Sequence, residues 1–130
     1  MTTELTYLAW TAVLCLFLWM PYILAGASQY GFLTPADYKI PGSRVMPDWV
    51  SRAQRAHFNL LENLPSFTAL ILIAHLSGNN TETTAMAAAV FFWVRILQTV
   101  VHILGIAYIR TAAFFVGMVS QLAIAMEILF

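Results

Sequence analysis

The sequence predicts an all-α integral membrane protein, a four-helix bundle in up-down order. Three observations carry that expectation. Of 130 residues, 61% are hydrophobic and 9% charged, whereas soluble domains carry about 25% charge. Four apolar stretches each approach the roughly 20 residues that a helical bilayer crossing needs. Arg52, Arg55, Asn59 and Glu62 follow one another at steps of 3, 4 and 3, which at about 100° per residue places them in an arc of about 80° on one helix.

The first span is expected at about 5–26. It is too long for a signal-peptide core and has only Glu4 before it, with no basic leader, so it reads as an anchor that stays. Pro21 should kink it, because proline has no N–H to give the helix. Residues 27–50 form the one long polar connection, where Pro35, Pro41, Gly42 and Pro47 break any continuous helix. The second span, about 51–76, contains the polar stripe and a bend at Pro65. A short turn follows, and its Asn79-Asn80-Thr81 sequon is too common a tripeptide to carry meaning there. The third and fourth spans fall at about 84–105 and 108–130, giving a single domain over 1–130.

Charge orients the bundle. Lys39, Arg44, Arg52, Arg55 and Arg110 lie in or beside the first and third connections, while the termini and the second turn carry Glu4, Glu82 and Glu127 without a lysine or arginine. The positive-inside rule places the 27–50 connection in the cytoplasm and both termini outside. Six Lys+Arg balance six Asp+Glu, so no basic excess points to nucleic acid. Cys15, the single cysteine, excludes an intrachain disulfide and a multi-thiolate metal site, and in its apolar run reads as a small hydrophobe. No metal is expected.

The third span repeats the pattern of the second, with Arg95, Gln98 and His102 spaced by 3 and 4 on an otherwise apolar helix. At about 1.5 Å per residue, Glu62 and Arg95 both lie about 15 Å below the cytoplasmic ends of their antiparallel spans. The expectation is an ion pair between them, since either charge alone is costly at that depth. Asn59 should lie level with Gln98 and His102. Above such a floor, Arg52, Arg55 and Arg110 would ring a polar cleft suited to a small anion with carboxylates. Arg110 and Thr111, at the start of the fourth span, would add free N–H groups and a positive helix end for a thiolate. Other readings stay open: the outer arginines as interfacial anchors, and the Glu62–Arg95 pair as a structural lock. His57 and His75, off the stripe, read as packing or interfacial residues, and Phe91-Phe92-Trp93 and Phe114-Phe115 as facing lipid or neighbouring helices.

The run Arg52-Ala-Gln-Arg-Ala-His-Phe-Asn-Leu-Leu-Glu-Asn63, with Pro65 and Phe67 after it, resembles the signature of the MAPEG superfamily, membrane-associated proteins in eicosanoid and glutathione metabolism. The resemblance extends over the chain in layout: four spans, a long first cytoplasmic loop, and an arginine in the third span. It implies a homotrimer with glutathione bound between subunits as co-substrate. Binding roles then fall on Arg52, Arg55, Asn59, Glu62, Arg95 and His102, and the thiol-steering role on Arg110 with Thr111. This chain departs from the family at Phe58, where the eicosanoid enzymes carry arginine, and at Gln98 and His102, which stand where the family has histidine and tyrosine.

The function implied is a glutathione-dependent transferase or peroxidase acting on lipophilic electrophiles, in a bacterial-type member of the inner membrane, with membrane lipids and a lipophilic substrate as partners. The alternative is a non-catalytic trimeric scaffold or lipid-binding protein, which the changes at Gln98 and His102 favour. A transport path, which midplane charges also mark, would be closed by a paired floor.

Overall fold

A computed structural model describes residues 1–42 and 44–130; Ser43, inside the expected 27–50 connection, lies outside the described residues. The described chain is helical, without strands. Helices α1 (Thr3–Phe17), α2 (Met20–Tyr30), α3 (Pro35–Lys39), α4 (Asp48–Leu76), α5 (Glu82–Leu104) and α6 (Ala107–Leu129) follow in order. Thr3–Tyr30, Glu82–Leu104 and Ala107–Leu129 are long and apolar enough to cross a membrane, and together with the exposed leucine, isoleucine, valine and phenylalanine side chains on their outer faces they make this an all-α membrane protein. The 29 residues of α4 exceed each of the other helices in length, and their charged stripe lowers its hydropathy.

The helix boundaries follow from local chemistry. The first apolar stretch is interrupted at Leu18–Trp19, and Pro21 sits in the first turn of α2. A proline there cannot donate to the carbonyl of Phe17, so the helix closes before it and restarts. In α4, Pro65 is accommodated without a break, and side chains around it bond to nearby carbonyls: Asn63 Nδ2 to Asn59 O at 2.8 Å and Ser66 Oγ to Asn63 O at 3.0 Å. Thr81 and Thr84 form a reciprocal cap at the start of α5, and Gly105, at φ +80°, ends it in the left-handed conformation that glycine adopts without strain. Ile106 gives α6 no side-chain cap.

α5 is the centre of the bundle, packed on α6, α4 and α1, while α4 also meets α1, α2 and α6. The apolar core is built from Phe67 and Ile71 of α4, Ala87, Ala88 and Phe91 of α5 and Ile124 of α6. Ala87 and Ala88 let the helices approach closely, so the rings of Phe67 and Phe91 stack at 3.9 Å. Phe91 thus lies in the core, and Trp93, at 59% exposure, faces outward. Cys15 is buried in a small satellite cluster with Leu18 and Leu60, the setting of a hydrophobe.

The connection before α4 is tied down. Thr34 and Asp37 form a capping box on α3, and Arg44 donates to Gly31 O, Phe32 O and Asp37 Oδ2 at 2.9, 2.9 and 3.0 Å. The backbone N–H of Thr34, then Arg44 and the Thr34 hydroxyl, hold the Asp37 carboxyl down at about 2.

Candidate functional site

The period of α4 turns Arg55, Asn59 and Glu62 toward a cavity of about 630 Å³, which α5 completes with Gln98 and His102 and α6 with Arg110, Thr111 and Phe114. Six of the eight residues singled out in the sequence therefore line one space: Arg55, Asn59, Glu62, His102, Arg110 and Thr111. Its wall combines two guanidinium groups and one carboxylate with neutral hydrogen-bonding side chains. That composition suits an anionic ligand of modest size.

Arg52 and Arg95 lie outside the wall. Arg52 reaches sideways, its Nε donating to Ile103 O at 2.9 Å while its guanidinium packs on Gly105, where an added Cβ would stand 3.3 Å from Nε. A cation on the last carbonyls of α5 neutralises the negative end of that helix and fixes the turn into α6.

Arg95 is 1% exposed and sits beneath the cavity. Its Nη1 donates to Asn59 Oδ1 at 3.0 Å and to Gln98 Oε1, and Gln98 Nε2 donates to the same Asn59 oxygen at 2.9 Å. The guanidinium lies 4.9 Å from the ring centroid of Phe91 and 5.8 Å from that of Phe114, within cation–π range. Gly117 leaves room for it, since a Cβ there would stand 3.2 Å from Nη2.

The expected Glu62–Arg95 ion pair is not formed. Glu62 is exposed, and the one ion pair among the described residues is Arg44–Asp37. Depth along the helix is right for a contact, but azimuth is not. Glu62 stands three residues after Asn59, so it points about 60° away around the helix, and the amide of Asn59 meets the guanidinium instead. Asn59 and Gln98 line the cavity, and behind their amides lies a charge held by dipoles and rings. A second correction concerns α6, which begins at Ala107. The free N–H groups of its first turn belong to Ala107, Tyr108 and Ile109. Arg110 closes the first turn and Thr111 follows it, past the free N–H groups, and the Thr111 hydroxyl is bonded back to Ala107 O at 3.2 Å.

Sequence reasoning misses the partners that hold Arg95. Spacing puts Gln98 on the right face but assigns it no role, and it leaves Phe114 among side chains facing lipid or a neighbouring helix. Gly117 carries the one usable signal, since a lone glycine inside an apolar helix marks close approach. His57 packs as expected, bonded through Nδ1 to the hydroxyl of Tyr22 at 2.7 Å, and His75 is exposed. No group of acidic, histidine and cysteine side chains among the described residues is arranged to hold a metal.

A model of the MAPEG family matches residues 7–130. The chain belongs to the MAPEG family. Among its relatives is microsomal glutathione S-transferase 1 of Mus musculus, 36% identical over 81 residues, which are 62% of this chain and 52% of that protein. The proteins of the same name from Bos taurus and Homo sapiens are each 34% identical over 83 residues, 63% of this chain and 54% of each relative. The chain thus spans about half the length of the relatives it matches. Membership fits a membrane protein whose polar stripe lies on α4, the helix that carries the MAPEG-like run from Arg52 to Asn63.

Proposed function

We propose that this MAPEG protein is a glutathione-dependent transferase or peroxidase acting on lipophilic electrophiles in the bilayer. The observation that carries the reading is the single cavity in which Arg55, Asn59, Glu62, His102, Arg110 and Thr111 converge from three helices, in a chain similar to microsomal glutathione S-transferases. A carboxylate of glutathione meets the guanidinium group of Arg55, its ammonium meets Glu62, and His102 and the free edge of Asn59 accept or donate along its amides, which leaves Arg110 to the thiol. Arg52 and Arg95 shape the site from outside its wall. Arg110 lies on the first full turn of α6, where its charge and the positive helix end favour the thiolate over the thiol. The thiolate sulfur attacks the electrophile, the leaving group departs with the bond's electron pair, and no protein nucleophile is required.

The functional assembly in this reading is a homotrimer in a bacterial inner membrane, with four spans and both termini outside. The length of α4, the apolar outer faces of the other helices and the charge asymmetry of the connections support the four spans and their orientation. Thiolate formation tests the chemistry. Detergent-solubilised protein mixed with glutathione should develop thiolate absorbance, and Arg110→Ala should lose it while keeping its melting temperature. Absence of binding at millimolar glutathione overturns the assignment and leaves a lipid-binding scaffold.

A further inference from the structure

A second cavity, of about 640 Å³, lies where α2, the tied connection and the start of α4 meet. It is as large as the first and shares no lining residue with it. Its volume falls within the range of about 300 to 1,000 Å³ usual for small-molecule sites.

The chemistry of the wall defines the occupant. Ile23, Phe32, Leu33, Met46 and Val50 supply an apolar side. Arg44 and Asp37 also reach the wall, but they are spent on each other and on the carbonyls of Gly31 and Phe32. Their charges sum to zero, so the cavity offers an anion or a cation little. Ser51 and Gln54 line the same space, are exposed and have no bonded partner among the described residues, which leaves neutral donors and acceptors free. Tyr30, Tyr38 and Trp49 are each more than 40% exposed at this end of the bundle. Aromatic side chains so placed mark the headgroup level of a bilayer. An occupant there can pass its apolar body to lipid and keep one polar end in place.

We infer that this second cavity binds an uncharged lipophile with one hydrogen-bonding end, of the monoacylglycerol or fatty-alcohol class. The inference is independent of glutathione chemistry, because none of the residues assigned to the thiol line this space. Gly26 is the point of control. A Cβ there would meet only the flexible tip of Met46, at 3.7 Å, so a large side chain can be accommodated on α2 at the expense of the cavity.

The test uses the full chain in nanodiscs with two photoreactive probes, a diazirine-bearing monoacylglycerol and the ionised fatty acid with the same chain. After irradiation, label from the neutral probe should concentrate in peptides covering 22–33 and 46–54, about tenfold above the anionic probe. Gly26→Phe should abolish that label at an unchanged melting temperature, and saturating glutathione should leave it in place. If Gly26→Phe lowers the melting temperature, Leu33→Trp, at a half-exposed position on the connection, blocks the same space. Label spread evenly over the outer faces of α5 and α6, equal labelling by the fatty acid, persistence in a folded cavity-filling variant, or displacement by glutathione would each overturn the assignment.

Discussion

Arg44, in the connection before α4, and Arg95, in the middle of α5, are both held by hydrogen bonds, but by different kinds of partner. Arg44 meets a carboxylate at 3.0 Å, with side chains still 16% and 18% exposed. Arg95, 1% exposed, meets no carboxylate; two amide oxygens and two aromatic faces take its charge. In water an ion pair gains little, because solvent already satisfies both groups. Inside an apolar bundle a second buried charge brings its own desolvation cost, and oriented dipoles that stay neutral avoid it. The comparison predicts that the pair resembling a salt bridge matters less than the network without one.

The largest effect should come from Asn59, whose one oxygen accepts from both Arg95 and Gln98. Asn59→Leu leaves two donors, one of them charged, without that acceptor, at a cost of about 3 kcal/mol. In detergent this should lower the melting temperature by about 10 °C. A drop within about 2 °C would mean that Gln98 and the rings hold the guanidinium unaided.

Next is Gly117→Ala. The added methyl would stand 3.2 Å from Arg95 Nη2, tighter than ordinary contact, and 3.5 Å from Cζ, and the guanidinium is already fixed between Phe91 and Phe114. Overpacking of this kind costs about 1 to 3 kcal/mol. Arg95→Leu made in the same chain should relieve part of it, and strictly additive losses would show that the two sites do not press on each other.

Glu62→Gln sharpens the contrast from the other side. Glu62 is exposed and has no ion-pair partner among the described residues, so stability should change by no more than about 0.5 kcal/mol. Its effect should appear in ligand affinity instead, measured by calorimetric titration with glutathione. A large loss of stability with unchanged affinity would restore Glu62 to a structural role.

These outcomes bear on what the sequence can and cannot reveal. The helical period alone groups Arg55, Asn59 and Glu62, because a 3.6-residue repeat leaves no freedom about which residues share a face. The interruption ahead of Pro21 is legible for a comparable reason, a missing N–H. The partner of Arg95 is not. Counting residues gives height in a bundle, whereas partner choice depends on rotation about each helix, which packing decides. The same limit hides Gly117, whose meaning depends on which side chain of α5 faces it. The α6 start differs by one residue from the expected boundary, and that is enough to move the free N–H groups off Arg110; Thr111 lies past them with either start. The second cavity is illegible for a different reason. Its wall joins α2, the connection and the start of α4, residues up to 32 positions apart whose meeting no local pattern encodes.

The smallest effect concerns Arg44 and Asp37 themselves. The folded state depresses the Asp37 carboxyl from 3.8 to about 2, so it contributes to folding above pH 3.8, and the contribution is lost as pH falls through about 2. Protonation weakens the acceptor for Thr34 N–H and removes the charge facing Arg44, but Arg44 keeps the carbonyls of Gly31 and Phe32. The connection should therefore loosen at low pH without melting the bundle. Pepsin, active across this range, can report it as the rate of cleavage between α2 and α4, with Asp37→Asn as the reference. At about pH 4 the variant should be cut faster than the wild type, and toward pH 2 the two rates should converge. Equal rates at the upper end would show that the two carbonyls alone tie the connection, and that the Asp37 carboxylate adds little to it.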